Sequence, residues 1–348
     1  MQLSELGWDE SFADAFQPHE SDGVVPARVA VEHRSEYMLY AESGELRAEL
    51  AGRLRFADEH PAVGDWVAAA ARDGDARALI TALLPRKSAF VRKTPWHETK
   101  AQVIAANVDV VFVVCGLDAN FNARRIERYL TLAWESGAQP VVLLTKADVC
   151  DDVEARTAAV EEIAIGVPVH AVSAPASFGL DEVRAHVPPG RTAALLGSSG
   201  VGTSTLVNAL VGSEILATRD VRAADGRGRH TTTHRQLVLL PGGGLVLDTP
   251  GMRELQLWDA DEGLGATFAD VDAFAAECRF ADCAHEREPG CAVRAALTSG
   301  ALEQDRFESW RKLERELENL RIRQDGRLRS EARKERRRFA RSMRKTSY

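Results

Sequence analysis

The feature that most constrains this chain is a glycine-rich loop that stands between an apolar run and a segment with helical spacing. The run Ala193–Leu196 predicts a buried strand before the loop, and Thr205–Val211 predicts a helix after it. Between them lie eight residues, GSSGVGTS, namely Gly197, Ser198, Ser199, Gly200, Val201, Gly202, Thr203 and Ser204. Glycines let several backbone N–H groups point at one phosphate, and the helix N-terminus adds a favourable dipole. We therefore predict a phosphate-binding loop that runs into Thr205, with the Ser204 hydroxyl placed to bind Mg²⁺; a Gly/Ser turn before a helix is the alternative.

One position of this loop departs from the usual pattern. The residue after Gly202 is normally a lysine that reaches the β- and γ-phosphates, and here it is Thr203. A hydroxyl cannot supply that positive charge. We therefore expect weaker phosphate binding and weaker stabilisation of a phosphoryl-transfer transition state.

Two segments upstream of the loop indicate which base the nucleotide carries. Thr145, Lys146, Ala147 and Asp148 follow one apolar run, and Ser173 and Ala174 follow the next. The Asp148 carboxylate can accept hydrogen bonds from guanine N1 and N2, which adenine does not offer. Lys146 would lie along the base, and Ser173 with Ala174 would back the guanine carbonyl. Thr145 stands where Asn is usual and has less hydrogen-bonding capacity. Taken singly, Asp148 is better explained as a turn or buried aspartate, and the same holds for Asp248 further along the chain.

Residues downstream of the loop are those expected to sense the γ-phosphate. Asp248-Thr249-Pro250-Gly251 follows the apolar run Leu245–Leu247, which places Asp248 near Mg²⁺ and makes Gly251 a pivot. The glycine-rich stretch Gly226–Thr233 indicates a switch that closes on the metal and the γ-phosphate, with Thr232 as the expected Mg²⁺ ligand.

These motifs occur in an unusual order. In ordinary GTPases the phosphate loop comes first and the base-reading segments last, whereas here Asp148 and Ser173 precede Gly197. Apolar runs alternate with helical segments, which predicts a parallel α/β sheet with ligands at the carboxyl ends of its strands. We therefore predict a circularly permuted P-loop GTPase domain over residues 99–258, whose Asp248 switch connects directly to the C-terminal region.

Four metal-binding side chains lie close together further along the chain. Cys278, Cys283, His285 and Cys291 have the spacing C-x4-C-x-H-x5-C within 14 residues. Three thiolates and one imidazole form a closed set suited to one structural Zn²⁺, with no position left for a catalytic water. The chain has five cysteines, an odd number that argues against a disulfide framework. Buried cysteines beside an exposed histidine are the alternative.

The rest of the chain divides by composition. Residues 1–22 form a polar extension, and residues 23–85 contain closely spaced short strands, predicted at Val24–Val31, Glu36–Tyr40, Leu46–Leu54 and Trp66–Ala70. This pattern suits a small barrel of the OB type, and a small β-sandwich would fit as well. A basic linker occupies residues 86–98, the zinc-knuckle domain 259–300, and a basic helical tail 301–348, with a helix predicted over Ala301–Leu320.

Charge is distributed unevenly along the sequence. The net charge is −8, yet residues 311–348 hold 15 Lys or Arg against 6 Asp or Glu. That segment carries +9, so the rest carries −17. Arginine clusters bind nucleic-acid phosphates without reading sequence. In the linker, further contacts and stacking would come from Arg86, Lys87, Arg92, Lys93 and Trp96. A solvated helix laced with ion pairs is the alternative.

No stretch approaches the ~18–20 apolar residues of a membrane span. The N-terminus lacks the basic start and apolar run of a secretory signal. We therefore expect a cytoplasmic protein without a membrane partner, and a monomer, because no oligomer interface is apparent in the sequence.

The permuted motifs, the preceding barrel and the Cys/His knuckle together resemble the ribosome-small-subunit-dependent GTPase A family (RsgA, also called YjeQ or EngC). Further matching phrases are VGDWV at Val63–Val67, ANVD at Ala106–Asp109, GRHTTT at Gly228–Thr233 and DTPG at Asp248–Gly251 followed by Arg253-Glu254. The resemblance extends over Val24–Ala301.

The resemblance implies a factor for late maturation of the bacterial 30S ribosomal subunit. Such a factor binds GTP or GDP, contacts 16S rRNA through its barrel and zinc domain, and uses GTP hydrolysis to drive release. It also implies that His230 positions the attacking water, because Met252 after Gly251 cannot; a solvated loop histidine is the alternative. Thr203 sustains a second hypothesis, an RNA-binding assembly module whose nucleotide site has decayed. A permuted GTPase acting on the large subunit is disfavoured by the barrel and the knuckle.

Overall fold

The computed structural model describes residues 1–33, 36–70, 77–93, 101–214, 236–248 and 261–324. The chain divides into two compact units. One comprises Met1–Phe90 and Val103–Leu255, and the other comprises Val91–Gln102 and Gln256–Tyr348.

Strands are concentrated in the first unit and helices occur in both. The strands are β1 (Val24–Glu32), β2 (Tyr37–Ala41), β3 (Gly44–Leu50), β4 (Trp66–Ala70), β5 (Arg77–Leu83), β6 (Ala89–Lys93), β7 (Ala101–Ala106), β8 (Val110–Gly116), β9 (Gln139–Thr145), β10 (Val169–Ala171), β11 (Thr192–Gly197), β12 (Gln236–Leu239) and β13 (Leu245–Asp248). The α-helices are α1 (Glu10–Phe16), α2 (Gly52–Phe56), α3 (Ala123–Glu135), α4 (Val153–Ile163), α5 (Leu180–Ala185), α6 (Thr203–Val211), α7 (Asp261–Thr267), α8 (Ala269–Ala276), α9 (Ala292–Ser299) and α10 (Gln304–Gln324).

The first five strands form the predicted barrel. They follow the order β1-β2-β3-β5-β4, and β4 pairs again with β1 to close the ring. Alternate residues face its interior, where Val29, Leu39 and Ile80 are fully buried. Closure removes sheet edges, which suits a small barrel of the OB type. The predicted barrel is therefore confirmed.

The prediction of a strand over Leu46–Leu54 was wrong at its C-terminal end. The strand stops at Leu50, and Arg53 and Leu54 belong to the short helix α2. Leu54 packs into the barrel core from that helical turn, and Arg53 donates to the Thr81 carbonyl. These two contacts explain why the turn replaces a continued strand.

The N-terminal extension forms short helices and buries several apolar side chains, although its sequence is largely polar. Leu6, Phe12 and Phe16 are buried. The ring of Trp8 lies 4.7 Å from that of Trp66, and the ring of Phe12 lies 5.8 Å from it. The extension therefore forms part of the core of the first unit.

The remaining strands of this unit form the parallel sheet that carries the predicted site. Strands β10, β9, β8, β11 and β13 run parallel in that order, and β12 lies antiparallel beside β13. Every residue of β8 is buried, as expected for a strand covered on both faces. The carboxyl ends of β8, β9, β10, β11 and β13 therefore meet at one edge of the sheet. The predicted parallel α/β fold is confirmed.

Part of the segment predicted as a basic linker is a strand. Strand β6 pairs with β7 in a two-stranded sheet. Trp96 lies outside the described residues.

The second unit is helical where it is described. Arg306 of α10 is only 4 % exposed and donates to both carboxylate oxygens of Asp270 at 2.7 Å and to the Thr267 carbonyl at 3.0 Å. Phe307 stacks on Trp310 with the ring centroids 5.7 Å apart. The predicted C-terminal helix is therefore present as α10, and residues 325–348 lie outside the described part of the chain. Among the described residues, no helix is both long enough and apolar enough to cross a bilayer.

Candidate functional site

The predicted phosphate loop joins the end of β11 to the start of α6. Gly200 and Gly202 have positive φ angles of 82° and 94°, a conformation that glycine adopts without strain. A Cβ on Gly197 would lie 2.7 Å from the Val114 carbonyl oxygen, so only glycine fits there. The helix begins at Thr203, and Ser204 and Thr205 occupy its first turn. The strand–loop–helix geometry predicted from the sequence is therefore present.

Thr145 connects the phosphate loop to the base-reading segment. Its Oγ1 lies 2.6 Å from the Val201 carbonyl, to which it donates, and 3.3 Å from the Cys115 carbonyl. The side chain is buried. A threonine at this position therefore still fixes the loop against the ends of two neighbouring strands.

Lys146 follows in a left-handed conformation, with φ 63°. Its Nζ donates to the Gly200 carbonyl at 2.6 Å and to Asp118 Oδ2 at 2.6 Å. Partial burial raises the pKa of Asp118, but the Lys146 ammonium and the Asn120 N–H outweigh it, so this pKa lies below its usual value. The Asp118 carboxylate therefore stays ionised at neutral pH, and Lys146 joins the predicted base-reading segment to the loop.

Asp148 is exposed at the edge of the sheet, just after β9. The buried Ser173 hydroxyl donates to Asp148 Oδ1 at 2.5 Å and also accepts from the Ala176 N–H at 3.2 Å. The Ala147 N–H donates to the Val172 carbonyl at 3.2 Å, and Ala174 follows in the same turn. One carboxylate oxygen is thus held in place while the group faces solvent, an arrangement suited to accepting hydrogen bonds from a guanine edge.

Of the predicted switch residues, only Asp248 lies within the described part of the chain. His230, Thr232 and Gly251 lie outside the described residues. Asp248 ends β13, where its backbone pairs with Gln236 of β12. Because β13 is adjacent to β11, this strand end lies beside the phosphate loop.

Sequence reasoning missed two charged residues of this site. Asp118 comes just after β8, as Asp148 comes just after β9, so the same strand-end signal could have found it. Arg125 of α3 donates from Nη1 to Ser198 Oγ at 3.0 Å. The two residues of this contact are 73 positions apart, and no sequence motif predicts the contact.

The four predicted metal ligands meet in the second unit. Their ligand atoms, from Cys278, Cys283, His285 and Cys291, all lie within 4.8 Å of one another. His285 Nδ1 lies 3.6 Å from the Cys278 Sγ and 3.5 Å from the Cys291 Sγ, and these two sulfurs are 3.9 Å apart. Tetrahedral zinc with ordinary bond lengths requires about 3.6 Å between nitrogen and sulfur and about 3.8 Å between sulfurs. The donor set therefore fits Zn²⁺.

The surroundings shift the pKa values of two cluster cysteines in opposite directions: that of Cys283 is raised to about 11 by burial and by the neighbouring Cys291 and Cys278 thiols, and that of Cys278 is lowered. Cys291 caps helix α9, where its Sγ accepts from the Arg294 N–H at 3.5 Å. Burial raises the pKa of Cys278, but the backbone N–H groups of Val293 and Ala292 lower it further, to below its ordinary value. Negative charge at a helix N-terminus is stabilised by the dipole.

A glycine-rich loop, a lysine and an exposed carboxylate therefore converge at one edge of a parallel sheet, and the residues predicted to read the base come first in the chain. This arrangement defines the class of circularly permuted P-loop GTPases. The model of the RsgA GTPase family matches residues 83–258. The chain is 51 % identical over 329 residues to the small ribosomal subunit biogenesis GTPase RsgA of Opitutus terrae, covering 91 % of this chain and 90 % of that protein. It is 47 % identical over 341 residues to the protein of the same name in Streptomyces coelicolor, covering 96 % and 91 %.

Solved structures agree with these sequence comparisons. YjeQ from Thermotoga maritima superposes with a TM-score of 0.64 at 27 % identity, over 84 % of this chain and 98 % of that one. YloQ, a circularly permuted GTPase, has a TM-score of 0.64 at 25 % identity, over 86 % and 97 %. The chain belongs to the RsgA GTPase family, which confirms the resemblance found in its sequence.

Proposed function

We propose that this chain is a GTPase that acts in maturation of the small ribosomal subunit, binding 16S rRNA and hydrolysing GTP to leave the subunit. It does so in the cytoplasm as a monomer. The observation that carries the proposal is that one short segment contacts both parts of the site. Asp148 accepts from Ser173, while Lys146 and Thr145 donate to the carbonyls of Gly200 and Val201 in the phosphate loop. Relatives named small ribosomal subunit biogenesis GTPase, similar over nine-tenths of the chain, support the choice of substrate and partner.

In this proposal each part of the site has a physical task. Asp148, oriented by Ser173, accepts the hydrogen bonds that distinguish guanine from adenine. The loop backbone and the N-terminus of α6 bind the phosphates, and Ser204 and Thr232 would hold Mg²⁺ with Asp248 nearby. An Mg²⁺ ion held there would neutralise charge on the phosphates. His230 positions the attacking water.

Base selection is tested with Asp148→Ala. We expect GDP affinity to fall about ten- to a hundredfold, because a charge-assisted hydrogen-bonded contact is worth about 1.5–3 kcal/mol. Asp151→Ala is the matched control, since Asp151 is an exposed carboxylate three residues further along. Calorimetric titration with GDP and Mg²⁺ measures both. Equal affinities in the two variants would refute the assignment of Asp148.

Catalysis is tested by GTP turnover with and without 30S subunits, in the natural chain and in Thr203→Lys. We expect the subunit to stimulate the natural chain, and the lysine to raise turnover further by supplying charge to the phosphates. If turnover appears only in Thr203→Lys, the alternative of a non-hydrolysing RNA-binding module is correct instead.

We also propose that the Cys/His cluster binds one structural Zn²⁺. Metal analysis of the purified chain should give one zinc per molecule. Cys283→Ser should lose it and unfold the second unit at a lower temperature, because such ligand sets couple metal binding to folding. Cys150→Ser, in the first unit, is the matched control and should keep both the zinc and the melting profile. Zinc retained in full by Cys283→Ser would contradict the site.

A further inference from the structure

The phosphate loop has a deficit of positive charge. No lysine or arginine occurs between Gly197 and Ser204. Lys146 reaches the loop at the Gly200 carbonyl, but its ammonium group is also paired with the Asp118 carboxylate at 2.6 Å. Its charge is therefore largely compensated, and a nucleotide with two or three phosphates needs a cation from elsewhere.

Arg125 is a second cation that contacts this loop from outside it. Its Nη1 donates to Ser198 Oγ at 3.0 Å, from a half-buried position on α3. In the part of the chain that the structure describes, no carboxylate pairs with it. Its neighbour Arg124 differs, since it donates to the fully buried Glu127 at 2.6 Å. The charge of Arg125 is thus uncompensated where that of Arg124 is not.

The position of Arg125 on its helix makes its uncompensated charge unfavourable in the absence of a bound anion. Asn122 caps α3, and its Oδ1 accepts from the Arg125 N–H at 2.9 Å, so Arg125 lies in the first turn. A cation in the first turn opposes the helix dipole and is unfavourable unless an anion is near. The helix follows β8, whose carboxyl end lies next to that of β11. Two sources of positive potential therefore face the loop, and no described acidic side chain pairs with Arg125.

We propose that Arg125 is a positioning residue for the nucleotide phosphates. It holds the loop through Ser198 and supplies positive charge that Thr203 does not. The inference rests on the proposed binding of guanine nucleotides. It also explains how a loop without its lysine can retain affinity for GTP.

The test compares affinities for GMP, GDP and GTP with Mg²⁺ at fixed ionic strength. In Arg125→Gln we expect GTP affinity to fall about tenfold, GDP affinity less and GMP affinity least, because removing a charge matters more as phosphates are added. Arg125→Lys should retain most of the affinity. Arg47→Gln, which removes one exposed positive charge from β3 of the barrel, is the matched control and should bind all three as the natural chain does. A purely structural role would weaken all three nucleotides equally and overturn the proposal.

A double-mutant cycle with Thr203→Lys gives an independent readout. With lysine restored to the loop, Arg125→Gln should cost markedly less GTP affinity than it does beside Thr203. If the natural chain binds neither GDP nor GTP, the proposed function fails. If it binds both and Arg125→Gln binds GTP equally well, only this inference fails. Should Arg125→Gln not fold, Ser198→Ala decides, because affinities unchanged for all three nucleotides would overturn the role of this contact.

Discussion

Arg28 joins three parts of the first unit through one buried side chain. Its guanidinium donates to the carbonyls of Gly64 at 3.1 Å, Asn107 at 2.8 Å and Leu6. These carbonyls belong to the barrel, to the start of the nucleotide-binding sheet and to the N-terminal extension. Burial lowers its pKa to about 10, so it remains charged at neutral pH. The cost of burying this cation is offset by these three carbonyls and by the nearby carboxylates of Asp109 and Asp65.

Replacing Arg28 with Met should lower the free energy of unfolding by about 3–5 kcal/mol, because the buried carbonyls of Asn107 and Leu6 lose their donor and that of Gly64 keeps only the Asn107 side-chain amide. Chemical denaturation measures this. Arg53→Met is the control, since Arg53 is exposed and donates to a single carbonyl, that of Thr81. We expect a change of less than about 1 kcal/mol there. Comparable destabilisation of both variants would show that the three hydrogen bonds of Arg28 contribute no more to the free energy of unfolding than the single contact of Arg53.

At the scale of elements, the N-terminal extension covers one side of the barrel. Helix α1 begins after Asp9, whose carboxylate accepts from the Phe12 N–H at 3.2 Å. The helix places Phe12 and Phe16 inward, and Trp8 contacts the fully buried Trp66. A helix of seven residues is marginal in water, so its stability comes from this packing.

Phe12→Ala should therefore destabilise the chain by about 3–5 kcal/mol, the usual cost of a buried phenylalanine. Loss of packing should also shift tryptophan fluorescence to longer wavelength as water reaches Trp66. Phe56→Ala, at a phenylalanine that is 95 % exposed, should leave both properties unchanged. A Phe12→Ala variant as stable as the natural chain would mean that the extension is not anchored through this ring.

At the scale of the whole molecule, charge separates along the chain, with +9 in residues 311–348 and −17 in the rest. Counterion release makes the affinity of such a segment for RNA fall steeply with salt. We therefore expect the affinity for 30S subunits to fall steeply as ionic strength rises, because of this basic tail.

Truncation after Gln324 should weaken 30S binding and flatten its salt dependence. The log–log slope should fall by about 0.7 for each RNA phosphate that the tail neutralises in the full chain. GDP affinity and melting temperature should be unchanged, because the phosphate loop and the zinc cluster remain. Filter binding over a salt series measures the slope. An identical slope in both proteins would show that the tail does not contact RNA.

The sequence predicted which residues lie at the carboxyl ends of the parallel strands better than it predicted contacts between segments far apart in the chain. Asp148, Ser173 and Gly197 each follow an apolar run, and parallel strands bring such positions together. The Arg125–Ser198 contact depends instead on how α3 lies against the loop, which no local pattern encodes. The extension could have been found, because Trp8, Phe12 and Phe16 recur at the four-residue spacing of one helical face. It was missed because helix α1 has only seven residues, so the pattern is short.

The strand order has a consequence for synthesis of the chain. Strand β11 lies between β8 and β13, but it is made long after β8. On a translating ribosome at ~5–20 residues per second, the wait between Gly116 and Thr192 is roughly 4–15 s. During that time the fully apolar β8 has one edge without its native neighbour, which is a site for mispairing or chaperone capture. The nascent chain thus assembles its base-reading edge first and gains its phosphate loop only afterwards, so nucleotide cannot assist the early steps of folding.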